Sequence, residues 1–517
     1  MKFGEISASP PTPAYRNYVL GIFALVYALN FIDRQIISVL ALDLKRDLGL
    51  SDADLGFLYG TAFGVFYALF GIPMGRLADS WNRIRLTSIG LALWSAMTVL
   101  SGFARNGLQL TAARIGVGIG EATASPCAYS ILSDYFPRER RATALATYSA
   151  GMYAGAGLSL FIGAEVLKRW NMAFPEGWNG IVGWQAAFFI VGLPGLLLAL
   201  LVASLKEPVR GLSDGLVSPP TPHPFRGFVD ELVTMLPPFS LYGAARRGVS
   251  ALLVNLAGAV AIAAVAYWLI WLTGDELQWI AVAVGCYAVF SWVAAVRERD
   301  YPAFALIWKS PAFLLLTAGH GLTSFVNYAV IFWSLPYAEG VLGADKSIAG
   351  LIIGGSGAAG GFLGLMVGGR LADRLRLGNP SGRILVIIAG ATLPFIPLAL
   401  SFTTDSIEFF YALHLPMVFL SSLGLGASGA TTQDLVLPRM RGLATATFFL
   451  GLTMIGLALG PYSVGRISSF TGSLSTGVLS LLAVVPFSTA MLIILYRKLP
   501  GAEASVIDRA RAAGETI

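Results

Sequence analysis

Two cysteines, Cys127 and Cys286, and three histidines are all the thiol and imidazole ligands that 517 residues supply. Both thiols fall inside apolar stretches, so neither a disulfide framework nor a thiolate metal cluster is available, and no metal or cofactor is expected. Charge is equally scarce. Asp, Glu, Lys and Arg make up 12% of the chain against 56% apolar residues, and the mean hydropathy is +0.71. A water-facing domain usually carries about 25% charged residues, so a soluble globule is excluded, and no nucleic acid partner is expected. The chain has no G-x-x-x-x-G-K-[ST] phosphate loop, which rules out an ATP-driven pump. It also has no nucleophile-base or metal-ligand cluster, which argues against an enzyme. The stretch from Met1 to Asn17 is polar, with no short apolar core before a small-residue cleavage site, so no removable leader is expected.

What the sequence has in abundance is long apolar runs. Fourteen segments of about 20 residues or more fall at 16–42, 53–78, 84–104, 108–134, 141–167, 181–205, 248–273, 277–296, 304–336, 347–371, 383–403, 407–434, 442–468 and 474–496. That is the length an α-helix needs to cross about 30 Å of hydrocarbon. Closed barrels use shorter, alternating segments, so an all-α integral membrane fold follows. If the helices alternate in direction, Arg83, Arg85, Arg138, Arg246, Arg297, Arg374, Arg439 and Arg497 collect on one side with both termini. The positive-inside rule makes that side cytoplasmic.

The string Gly75-Arg-Leu-Ala-Asp79 returns letter for letter at Gly369–Asp373, and Pro137-Arg138 has a counterpart in Pro438-Arg439. The chain therefore reads as a repeat. A six-helix bundle (1–206) is followed by a proline-rich cytoplasmic linker (207–246), an inserted hairpin of two membrane helices (247–297), a second six-helix bundle (298–498) and a cytoplasmic tail (499–517). The hairpin, with no charge between Ser250 and Gly274, is expected to face lipid as an accessory that transport does not need.

The first copy continues as Ser80-Trp81-Asn82-Arg83-Ile84-Arg85, and the whole stretch resembles the G-x-L-A-D-x-x-G-R signature of the major facilitator superfamily, with Asn82 in place of the usual Gly. Asp79 at a helix end is expected to accept hydrogen bonds from a neighbouring helix N-terminus and from Arg83, with Arg85 nearby, and Gly75 to let helices approach. Gly369 and Asp373 repeat this cytoplasmic latch. A solute site is expected between the halves near the midplane.

Charges inside the spans are costly and point to mechanism. Asp33 and Arg34 lie in the first segment, and Arg114 and Glu121 in the fourth. Counting a rise of about 1.5 Å per residue places Asp33 and Arg114 at similar depth, so the two are expected to pair. Glu121, two turns beyond Arg114, is the candidate proton site, with Asp33 its switchable partner and Arg34 left as the cation for an anionic substrate group. Gly116, Gly118 and Gly120 would let another helix approach that face.

Asn30-Phe31-Ile32-Asp33-Arg34, followed by Arg114-Ile-Gly-Val-Gly-Ile-Gly-Glu121-Ala122, resembles the spinster family over most of the first half. The resemblance implies export of an amphipathic anionic lipid such as a sphingolipid or lysophospholipid, and location in a bacterial inner membrane. The same charges occur in proton-coupled symporters of organic anions such as sugar acids, which is the alternative reading. In the second half the matching stretch, Asn327-Tyr328, lacks a carboxylate. With His320, Phe332 and Trp333 it forms a mixed aromatic and polar face suited to an acyl chain beside a polar group. Glu165 is a further candidate carboxylate, and Asn30 a polar neighbour of the site. The expected partners are an amphipathic or anionic solute, protons and the bilayer, with the carrier acting as a monomer.

Overall fold

The computed structural model describes residues 12–210 and 223–515. Part of the linker, 211–222, lies outside the described residues. The chain is built from α1 (Pro13–Leu48), α2 (Asp52–Ser80), α3 (Arg83–Ser101), α4 (Gly107–Glu121 continuing as Ala124–Tyr135), α5 (Arg138–Ala173) and α6 (Gly183–Ala203). Two short linker helices follow, α7 (Pro224–Met235) and α8 (Phe239–Arg247), then the hairpin α9 (Val249–Thr273) and α10 (Glu276–Arg299). After the short α11 (Tyr301–Ile307) come α12 (Pro311–Gly340), α13 (Lys346–Gly378), α14 (Gly382–Ser401), α15 (Ile407–Asp434), α16 (Pro438–Thr471), α17 (Leu474–Ala504) and α18 (Val506–Ala512). Among the described residues the nearest thing to a strand is one isolated bridge, Trp178 to Ile181.

Polar caps set the turns. Thr12, Ser51, Asn82, Asn106, Ser310, Asp345 and Ser406 each accept a hydrogen bond from a first-turn amide, filling one of the donors that a helix start leaves open. Among the described residues thirteen helices are long and apolar enough to cross a membrane. The fourteenth span, α4, is interrupted at Ala122-Thr123, where Pro126 removes the amide that would bond to Ala122 and disfavours helix just before it. The segment expected at 304–336 divides for a related reason: Ser310 caps a fresh helix that begins at Pro311. The linker and tail carry helices α7, α8 and α18, and α17 runs on to Ala504.

With fourteen such helices alternating in direction, the start of α1 and the end of α17 fall at one end of the bundle, here called the terminal side, and the opposite end is the far side. Polar bonds between the two halves gather toward the far ends of the helices. Lys346 pairs with Asp43 at 2.6 Å, Ser38 Oγ donates to the Phe332 carbonyl at 2.6 Å, and Ser468 Oγ donates to Asp52 at 2.6 Å. Deeper, α5 and α13 touch backbone to backbone where Gly157 meets Gly354. This arrangement is closed on the far side.

On the terminal side the corresponding networks stay within each half. Arg83, 1% exposed, binds Asp134 at 2.5 Å and Glu207 at 2.7 Å, and Glu207 also takes the Ile84 amide at 2.9 Å. Arg383 binds Asp434 at 2.5 Å and reaches Asp373 at 3.3 Å. The expected Asp79 to Arg83 bond is therefore corrected. Arg83 turns inward to the buried carboxylates, and the exposed end of α2 is capped instead by Arg210, which donates to the carbonyls of Ala78 and Asp79. Arg85 is exposed, its amide held by the Asn82 cap. A side chain on Gly75 or Gly369 would meet nothing within 4 Å, so neither makes the expected close approach while the halves stand in this state.

Removing Arg83 would leave two carboxylates facing each other without their cation. Arg83→Ala should destabilise the purified protein by about 3–5 kcal/mol, the cost of breaking a buried pair. Arg85→Ala should leave the thermal midpoint unchanged. Equal midpoints for the two variants would contradict the network.

Candidate transport site

The charged residues of the first half converge where α1, α2 and α4 pack together. Each helix follows from its sequence: α1 is an apolar run with a Thr-Pro start, and Gly118 in α4 admits the backbone of α2, since a Cβ there would stand 2.6 Å from the Phe63 carbonyl. Gly120 does the same for α3 at the Trp94 amide, 2.8 Å away. The glycines read from the sequence thus do two jobs: Gly118 brings α2 onto the charged face of α4, and Gly120 seats α3 on another side of the same helix.

Arg34 Nε donates to Glu121 Oε2 at 2.7 Å, with Arg34 13% exposed and the Glu121 side chain fully enclosed. The guanidinium carbon lies 4.8 Å from the ring centre of Phe31, 4.7 Å from Phe63 and 4.6 Å from Tyr67. Three ring systems therefore offer their electron-rich faces to one cation. Arg114 approaches the same Phe63 ring at 5.3 Å and donates to the main-chain oxygen of Asp33 at 3.3 Å.

The expected pairing is corrected on two points. Arg114 does not bond the Asp33 carboxylate, and Arg34 is not left spare but holds Glu121. The reason is helix length. The segment read as ending near 42 continues to Leu48, which puts Arg34 about four turns in from the far end of α1; Glu121 stands about four turns in from the far end of α4 at Gly107. Both therefore lie about 21 Å from the far side and meet at one depth.

Around this pair several buried polar atoms have no hydrogen-bond partner in the protein: both Asp33 oxygens, both amide atoms of Asn30, Glu121 Oε1, and Nε and Nη2 of Arg114. Leaving such groups buried and unpaired is unfavourable, which sets this cluster apart from the apolar packing around it. Toward the terminal side it continues as an aromatic wall. Tyr27 stacks on Tyr148 at 4.4 Å and meets Phe31 at 5.2 Å, and Tyr129 meets Tyr148 edge-on at 5.6 Å. The sequence reading missed this wall, although Tyr27, Phe31 and Arg34 share one helix face by spacing alone, as do Phe63 and Tyr67.

The second half contributes less than expected. Asn327, partly buried, donates to the Ser421 carbonyl at 3.4 Å, and Tyr328 is half-buried beside it. Phe332 and Trp333 are buried in the far-side closure rather than lining an open face. Phe332 stacks on Tyr59 across the halves at 4.5 Å, and Trp333 Nε1 donates to the Pro461 carbonyl at 2.9 Å. His320 is enclosed within the second half, against Phe448 at 5.8 Å, away from the charged cluster. Glu165 pairs with Arg169 one turn on at 3.0 Å near the far end of α5, a local helix pair outside the site. No group of three or more metal-binding side chains occurs among the described residues.

The sequence profile of the Major Facilitator Superfamily matches residues 23–461. An MFS-type efflux pump of Mycolicibacterium smegmatis is 27% identical over 451 residues, covering 87% of this chain and 83% of that protein. Protein spinster homolog 1 of Xenopus tropicalis is 26% identical over 484 residues, covering 88% of this chain and 74% of that protein. Shorter matches, over 35% to 40% of the chain, fall on probable galactonate, galactarate and glucarate transporters of Escherichia coli and Bacillus subtilis. Among solved structures, a bacterial homologue of the human lysosomal transporter Spinster, inward-facing and occupied, superposes with a TM-score of 0.68 at 24% identity, covering 96% of this chain and 99% of that one. The repeat, the crossings and these likenesses agree: the chain is not an enzyme but belongs to the Major Facilitator Superfamily of membrane transporters.

Proposed function

We propose that the protein is a proton-linked carrier of an amphipathic anionic lipid, such as a lysophospholipid, working by alternating access between its two halves. The observation that carries this reading is the Arg34 guanidinium held against Phe31, Phe63 and Tyr67 while bonded to Glu121. An anion site wrapped in rings suits a charged head joined to methylenes, each worth about 0.8 kcal/mol when buried. A sugar acid needs a partner for every hydroxyl, because each one left unpaired costs about 1–3 kcal/mol. The wall beside Arg34 offers the rings of Tyr27, Phe31, Tyr67 and Tyr148 with three hydroxyls among them, fewer partners than the hydroxyls of a hexonate require. The resemblance to spinster proteins across most of the chain supports the same choice.

In this reading Glu121 and the cargo head compete for Arg34. When Glu121 takes a proton its pair with Arg34 dissolves, and the guanidinium becomes free for the anion. Proton and anion therefore bind together. Asp33 and Arg114, close by, adjust as the charge changes. The Arg and Lys distribution makes the terminal side cytoplasmic, so the far-side closure corresponds to an inward-facing state. Asp79 and Asp373 would act when the terminal side closes, setting turnover rather than affinity.

Affinity for lysophospholipids in reconstituted liposomes should rise with acyl length, and Arg34→Ala should weaken phosphate-headed ligands more than neutral amphiphiles. Affinity independent of chain length, together with saturable uptake of a hexonate, would favour the sugar-acid reading instead. Glu121→Gln leaves Arg34 permanently free. It should bind ligand at neutral pH about as tightly as the wild type does in acid, with a flat pH profile. A wild-type pH profile in this variant would overturn the assignment of the proton to Glu121.

A further inference from the structure

The hairpin α9–α10 was expected to be a lipid-facing accessory, and half of it is. Leu253, Val260, Trp268 and Trp271 of α9 are all more than half exposed. α10 is different. Tyr287, Trp292 and Val296 are buried, and Gly285 is pressed between Val65 of α2 and Met454 of α16. The hairpin therefore rests on one helix from each half, and its tip bonds to both.

Gln278, 2% exposed, takes a hydrogen bond from Thr61 Oγ1 of α2 at 2.7 Å, and the same hydroxyl faces the Ala458 carbonyl of α16. Asp275 accepts from Tyr462 OH at 2.6 Å and pairs with Arg466 at 3.3 Å, both on α16, and Arg466 also donates to the Thr273 carbonyl. These bonds fall where α2 and α16 cross most tightly: a Cβ on Gly56 would stand 2.4 Å from the Pro461 carbonyl. Both helices widen into a π-turn there, Phe57–Thr61 in one and Leu452–Leu457 in the other. Single π-turns are uncommon and concentrate at working sites. At its other end α10 is anchored by Arg299 to Glu231 of α7 at 2.9 Å.

We propose that the hairpin tip is a working part of the far-side gate: Asp275 and Gln278 clamp α2 to α16 and bias the resting carrier toward far-side closure. They are positioning residues that touch no cargo. The proposal rests on the two-state reading above, because a clamp across the halves has an effect only if the halves separate.

The test uses the full chain with Cys127 and Cys286 replaced by Ala and one reporter cysteine at a time, Ser38→Cys in the far-side closure or Tyr129→Cys at the exposed terminal-side wall. A membrane-impermeant maleimide labels each in proteoliposomes from the side that the reporter faces. Asp275→Ala and Gln278→Leu should each speed labelling at position 38 by about tenfold, the factor that one lost hydrogen bond to a charged or buried partner is worth in a two-state equilibrium. Labelling at position 129 should slow in parallel. Lys346→Ala, which cuts the Asp43 pair, is the positive control, and Trp271→Ala on the lipid face should change neither rate. No change with the two tip variants, alongside a response to Lys346→Ala, overturns the clamp and leaves alternating access intact. Faster labelling at both reporters means loosened packing and also overturns it. If Lys346→Ala gives no opposed change either, the two-state reading itself fails. Should Asp275→Ala fail to fold, Gln278→Leu and Asp275→Asn carry the same comparison.

Discussion

A charge placed at mid-depth in hydrocarbon must find its counter-charge within the protein, and the pair formed by Arg34 and Glu121 meets that demand where α1 crosses α4. The surrounding helices are arranged to make the meeting possible. Gly118 strips the side chain from the charged face of α4 so that α2 can close over it, Gly120 seats α3 on another side, and α2 then supplies Phe63 and Tyr67 as the rings that enclose the cation. Buried ion pairs add little net stability compared with well-packed apolar residues, but removing one partner is expensive. In the mechanism proposed above such a pair acts as a switch, because a proton or a competing anion changes its balance without any covalent step.

The second constraint is that the halves must move as bodies. Each has its own terminal-side network: Arg83 with Asp134 and Glu207 in the first, Arg383 with Asp434 in the second, and Arg376 bound twice to Glu503. These networks tie helix ends within a half and leave the other half untouched. The bonds that do join the halves lie toward the far side and are polar, among them those at Asp43, Ser38, Asp52 and Thr61. Strong ties within each half and reversible ties between them make the interface, rather than either bundle, the element with two arrangements. The hairpin, resting on one helix from each half, falls on that same interface.

Much of this was legible in the sequence. Run lengths indicated the spans, the repeated Gly-Arg-Leu-Ala-Asp revealed the duplication, and the cost of intramembrane charge singled out Asp33, Arg34, Arg114 and Glu121. What failed was pairing, because depth was counted on a helix read nearly two turns too short, and a shift of that size moves a side chain about 9 Å along the axis. The expected bond from Asp79 to Arg83 failed for another reason, although Arg383 does reach Asp373 in the second copy. Asp134 and Asp434, the true partners of Arg83 and Arg383, stand just before the repeated Pro-Arg pairs, and the separation from arginine to aspartate is the same in both halves. That signal was present but is spread from the start of one helix to the end of the next. The gate positions of Phe332, Trp333 and Gln278 depend on contacts between helices distant in sequence, which periodicity within one helix does not encode.

The central claim is that one buried carboxylate exchanges its arginine for a proton as cargo binds. The direct measurement is the reversal potential of lysophospholipid-driven proton flux in liposomes holding the purified carrier, under opposed pH and lipid gradients. The account predicts a reversal that moves with the imposed pH gradient at a fixed proton-to-lipid ratio. Lipid flux that reverses at the lipid gradient alone, whatever the pH difference, would contradict it.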